Sequence, residues 1–155
     1  MPRLSKKTMF AIEAVLDVAF HVGNQPVRSG DITERQRIPK RYLEQVLQHL
    51  VRAGILSGKR GPRGGYRLGR ERSRITLGEV VRVVRKLEAE TEPNDPSVGS
   101  ALAHEVVWPM WEHLRDEMMT QLDTITIDDL CKRAHAKGLD KGLDQPAKTP
   151  HSAAA

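Results

Sequence analysis

Helical periodicity runs through most of this chain and breaks sharply at Ser57-Gly58-Lys59-Arg60-Gly61-Pro62-Arg63-Gly64-Gly65-Tyr66-Arg67-Leu68. Four glycines and a proline so close together do not hold a helix: glycine loses too much backbone freedom there and proline has no N–H to donate. The spacing instead predicts two short strands, about Leu56 to Arg60 and Tyr66 to Leu68, on either side of a Gly/Pro-rich turn. Arg60, Arg63 and Arg67 decorate this hairpin, and its glycines let the backbone pass close to a partner. A nucleotide-binding loop would share the glycines, but it ends in Gly-Lys-Ser/Thr and opens a helix, and this stretch does neither.

Three helical segments precede the hairpin. From Lys6 to Val22, Met9, Ile12, Leu16 and Ala19 or Phe20 recur at helical spacing, with Glu13, Asp17 and His21 expected on the opposite, solvated face. Gly23 and Asn24 are expected to stop this helix. A shorter helix is predicted from Ser29 to Gln36, with Asp31 and Glu34 suited to its first turns, followed by a tight turn at Arg37 and Ile38. Pro39 suits the first position of a third helix, which runs to Ala53 and ends at Gly54. Leu43, Val46, Leu47 and Leu50 make its apolar stripe; Lys40, Arg41, Glu44, Gln45 and Gln48 make a polar face able to reach phosphates or base edges. A short helix, a turn, a polar-faced helix and a basic hairpin, in that order, are the parts of a winged helix-turn-helix.

Charge supports this reading. The 155 residues carry a formal +5, but residues 1–74 hold +10 and the remainder −5. So uneven a split points the first half at a polyanion, with nucleic acid ahead of an anionic membrane. Lys6 and Lys7 before an apolar stretch loosely imitate a signal peptide, yet Glu13 and Asp17 interrupt it and no run approaches the roughly 18 apolar residues of a membrane span. The single cysteine, Cys131, excludes an intramolecular disulfide framework. A cytoplasmic protein that does not enter the membrane is expected.

Beyond the hairpin, Thr76 and Glu79 form a capping box for a helix whose apolar side is Val80, Val81, Val84 and Leu87. Glu88 to Gly99 reads as an acidic, proline-containing loop. From Ser100 to about Asp123, Leu102, Val106, Met110, Leu114, Met118 and Leu122 fall four apart, with Val107, Trp108 and Trp111 beside them, and Pro109 should kink or restart the helix. This apolar ladder exceeds what a small protomer needs and reads as a dimerisation face, ordinary internal packing being the alternative. Thr126 and Asp129 repeat the capping pattern for a last helix from Ile127 to Ala136, and the tail from Lys137 is expected to be disordered. The fold expected is mainly α with a small β wing. It divides into a winged helix-turn-helix head (1–87), an acidic loop (88–99), a long helix with a dimerisation face and a short terminal helix (100–136), and a tail (137–155).

Four stretches carry a family resemblance: Leu4-Ser5-Lys6-Lys7, Tyr42-Leu43-Glu44-Gln45, Arg60 to Leu68, and Ile75-Thr76-Leu77-Gly78-Glu79-Val80. Over about residues 3 to 135 the chain resembles the bacterial Rrf-type winged-helix repressors, among them the iron-sulfur cluster regulator, the nitric-oxide-sensitive repressor and the cysteine-metabolism repressor. The resemblance implies a recognition helix presenting Glu44 and Gln45 to the major groove, Gln suiting adenine and Glu the cytosine amine. Lys40, Arg41 and Tyr42 would hold phosphates, and the wing of Arg60, Gly61, Pro62, Arg63 and Gly64 would enter a minor groove. Family members commonly carry glycine where Arg63 stands, so a stronger phosphate contact at the wing tip is expected here.

The resemblance also locates a departure. Cluster-binding members place three cysteines in the loop before the long helix, and this chain has none between Glu88 and Gly99, with Ala101 near where the last would stand. A three-cysteine cluster is therefore not possible and no cofactor is expected. His104 matches the histidine some members add, and Cys131 with His135 sit four apart on one helix, but two donors do not make a metal site. No nucleophile–base pair, paired carboxylates or cofactor fingerprint marks an enzyme. The expected function is a homodimeric transcriptional regulator, a repressor, on a pseudo-palindromic double-stranded operator, with a regulatory protein or small molecule as input. The alternatives are a metal- or redox-sensing regulator that uses the residual His and Cys, and a winged-helix protein-interaction module that does not bind DNA.

Overall fold

The computed structural model describes residues 4–21, 25–91 and 95–139. Six helices and one hairpin follow in order: α1 (Lys6–Phe20), α2 (Ser29–Gln36), α3 (Lys40–Arg52), β1 (Leu56–Lys59), β2 (Gly65–Leu68), α4 (Leu77–Thr91), α5 (Trp108–Leu122) and α6 (Ile127–Ala136). This is the mainly α fold with a small β wing expected from the sequence. The proposed stop at Gly23 and Asn24 and the tail from 140 onward lie outside the described residues.

Helix α1 is the hub, touching α2, α3, α4, α6 and β2. Its capping residue Ser5 accepts the backbone N–H of Thr8. Its buried face differs from the expected one: Ala11, Ala14, Val15, Val18 and Ala19 are buried, while Met9 is 46% exposed and Ile12, Leu16 and Phe20 only partly covered. Asp17, expected in solvent, is 0% exposed. Neighbours surround the helix on several sides, so small alanines set the close approaches and the bulkier residues fall to the margins.

Asp17 is buried because its partners are buried with it. Arg35 clamps the carboxylate through Nε and Nη2 at 3.0 and 2.8 Å, and Gln36 Nε2 donates to it at 2.9 Å. The end of α2 is thereby tied to the last turn of α1. Arg37 then takes a left-handed φ of 55°, which turns the chain into α3.

Pro39 stands one residue earlier than expected, as the N-cap of α3, where its carbonyl accepts the N–H of Leu43 at 3.0 Å. Leu43, Val46, Leu47 and Leu50 are fully buried, as their spacing required. At the far end, Gly54 at φ 74° closes a Schellman motif: its N–H bonds Val51 O and that of Ile55 bonds Leu50 O, both at 3.0 Å.

The capping box before α4 forms as expected: Glu79 N–H donates to Thr76 Oγ1 at 3.2 Å, and Thr76 N–H to Glu79 Oε2 at 2.9 Å. The box at Thr126 and Asp129 forms likewise, and α6 has the expected limits. The two helix starts lie side by side, joined by Leu77 N–H to Ile125 O and Ile127 N–H to Ile75 O, each 2.8 Å. Helix α4 continues to Thr91, so the loop begins later than Glu88.

The long helical run opens at Ala101 and carries a π-helical segment, Ala103–Val107, immediately before α5. Trp108 N–H reaches back five residues to Ala103 O. Pro109 explains this: it has no N–H, and its ring would collide with the carbonyl four residues earlier in a regular helix, so the turn ahead of it widens. The restart expected at Pro109 takes this form.

Candidate nucleic-acid interface

The exposed side of α3 is made by default. With one stripe wholly buried, Lys40, Arg41, Glu44, Gln45 and Gln48 are left in solvent on the other side. Lys40 Nζ lies 4.0 Å from Glu44 Oε1, a loose pair with both ends exposed that leaves each free to exchange partners. Tyr42 is placed differently. Its hydroxyl donates to the Lys7 carbonyl at 2.6 Å and its ring meets Phe10, so its proton is held against α1 instead of facing a phosphate. Burial pushes the phenol well above its usual range, and the Glu88 charge adds to this.

Strands β1 and β2 pair antiparallel with Leu56 opposite Leu68 and Lys59 opposite Gly65, which leaves residues 60–64 as the turn. Arg60, Gly61, Pro62 and Arg63 are exposed there, and Gly64 is half-buried. The hairpin is anchored by a segment the sequence did not single out. Val27 and Tyr66 exchange backbone bonds of 2.9 and 2.7 Å, adding a third strand position, and Arg28 Nη2 donates to Pro62 O at 2.5 Å. Only glycine fits at 65: φ is 153°, and a Cβ would stand 2.5 Å from Val27 O. Arg28 occupies the N-cap of α2 without capping it, and the absence of a good capping residue there is the one sequence signal that could have drawn notice to it.

On the long helix the apolar ladder divides. Leu102 is 66% exposed, and Val106, Met110 and Leu114 are about half exposed, with Val107, Trp108 and Trp111 alongside. Met118 is partly buried and Leu122 belongs to the protomer's own core, so the dimer role expected for Leu122 is corrected: it packs internally. His104 packs edge-on against Trp108, ring centroids 4.1 Å apart. Cys131 is buried, and burial pushes its thiol up against the pull of nearby Arg72; His135 stands exposed. Among the described residues no three His, Cys, Asp or Glu side chains converge as a metal site.

Residues 4–133 match the Rrf2 family, described as iron-dependent transcriptional regulators. The chain is 36% identical over 130 residues to the HTH-type transcriptional regulator IscR of Vibrio atlanticus (strain LGP32), covering 84% of this chain and 75% of the relative. It is 35% identical over 150 residues to that of Xenorhabdus nematophila, covering 96% and 92%. Among solved structures it resembles T. potens IscR (TM-score 0.67, 32% identity, 87% of this chain and 90% of that one). It also resembles CymR, the global cysteine regulator of B. subtilis (TM-score 0.63, 29% identity, 86% and 98%).

The residues present do not fit an iron-sulfur cluster held by three thiolates: the single cysteine, Cys131, is buried on α6, the loop before the long helix has none, and His104 packs edge-on against Trp108. No helix among the described residues is long and apolar enough to cross a membrane. The relatives are transcriptional regulators and not enzymes, and with the helix-turn-helix and wing in place the chain is a DNA-binding transcriptional regulator of the Rrf2 family.

Proposed function

We propose that this regulator binds a pseudo-palindromic operator as a homodimer, acts there as a repressor in the cytoplasm, and does so without an iron-sulfur cluster. The observation that carries the DNA reading is the exposed polar face of α3 standing over a fully buried apolar stripe, with an arginine-bearing turn anchored nearby. In this reading Glu44 and Gln45 read base edges in the major groove, Lys40 and Arg41 hold phosphates, and Arg60 and Arg63 reach a minor groove. Two heads on one dimer set two half-sites about one helical turn apart.

In this reading the second copy packs on the exposed upper half of the long helix, where Leu102, Val106, Met110 and Leu114 lie exposed beside Trp108 and Trp111. An effector, either a regulatory protein or a small molecule, acts at the loop and long helix in place of a metal. Selecting bound duplexes from a random DNA library tests the proposal. Enrichment of a dyad-symmetric sequence is expected; recovery of unrelated or non-symmetric sequences would overturn it.

A further inference from the structure

A second charged site lies away from the wing, where the start of α1 meets α4 and α5. A cleft of about 650 Å³ is lined by the capping Ser5 with Lys6 and Lys7 at the start of α1, Arg85, Glu88 and Thr91 from α4, and Arg115 from α5. Among the described residues four cations face one carboxylate there. Among the same residues, two features mark the cluster as unsatisfied. Arg115 Nε is buried and no acceptor among the described residues bonds it, and its guanidinium finds only Glu112, at 3.9 Å. Arg85 is half-buried beside it: burial and the Arg115 charge push its guanidinium below the usual range, Arg82 adds to this, and Asp116 and Glu88 pull the other way. Glu88 is already engaged as acceptor of the Ser5 hydroxyl at 3.0 Å.

Buried donors on charged groups persist in folded proteins when something satisfies them. Like charges held together ask for a counter-charge, and the planar guanidinium fork suits an oxyanion. We propose that this cleft binds a phosphate-class oxyanion, held by Arg85 and Arg115 with Lys6 and Lys7 closing over it. The occupant is either a free anion or a phosphate of the DNA backbone, since Lys7 also accepts the Tyr42 hydroxyl and so adjoins the recognition helix.

Inorganic phosphate is the probe. The full-length protein, free of DNA and in an amine-sulfonate buffer at constant ionic strength, is titrated with phosphate while the phosphorus resonance is followed for line broadening. This arm does not depend on operator binding, so its outcome is separate from that of the DNA reading. Saturable broadening is expected. Half-saturation should rise about tenfold in Arg115→Gln and in Arg85→Gln, each removing one charge-assisted contact. Glu88→Gln should lower it, a change of opposite sign that mere loss of folding cannot produce. Non-saturable broadening, or one half-saturation point for the wild type and all three variants, overturns the proposal. Adding duplex operator then distinguishes the sources: loss of broadening assigns the cleft to a backbone phosphate, and retained broadening assigns it to a free anion.

Discussion

Asp17 shows what a single residue can conceal. It follows Glu13 and precedes His21 at four-residue spacing and so reads as part of a polar face, yet it is fully buried with Arg35 and Gln36 committed to it. Nothing near it in sequence announces those partners, which arrive from the next helix. Removing one end of a buried, hydrogen-bonded pair leaves the other uncompensated, so Asp17→Asn should lower unfolding free energy by about 3–5 kcal/mol, as measured by urea titration. Glu44 is the opposite case, an exposed side chain whose value lies in what it meets. Glu44→Ala should leave stability unchanged and relax discrimination at one or two base pairs, with about 1–3 kcal/mol lost per base contact in competition binding. Cys131 is screened from reagents: burial raises its thiol, which lowers the thiolate fraction at neutral pH. Alkylation by iodoacetamide should therefore be slow in the native protein and rapid in urea.

Elements were legible wherever a pattern was local. The stripe of α3, both capping boxes, the limits of α6 and the strands of the wing follow from spacing and from single residues with fixed preferences. Patterns that depend on surroundings were not. The buried face of α1 departs from the apolar spacing because its contacts come from several sides and its alanines, though buried, carry little hydrophobic signal. The anchoring of the wing by Val27 and Arg28 joins segments more than thirty residues apart and leaves no periodic trace. The apolar ladder was visible, but its division was not: only the fold shows that Leu122 faces inward while Leu114 faces out. If the outer half pairs with a second copy, Leu114→Asp should convert a dimer to a monomer in sedimentation velocity with helix content retained. A monomeric wild type would remove the dimer from the proposal.

Across the molecule, the total of +5 hides the arrangement that matters. The first 74 residues hold +10 and contain the helix-turn-helix and the wing, while the rest, with the long helix, is net negative. Such a molecule is oriented toward DNA before any base is read. Binding that rests on phosphate contacts releases counterions, so affinity should fall linearly with salt on logarithmic axes. With 6–10 contacts per dimer the loss between 50 and 200 mM salt is about 10³- to 10⁵-fold. The most direct test is an anisotropy titration of a selected operator and a scrambled duplex of equal length across that salt range. Tighter binding to the operator at every salt concentration, by at least about 10³-fold, with both affinities falling as salt rises, is expected. Equal affinity for the two duplexes, or binding indifferent to salt, would contradict it.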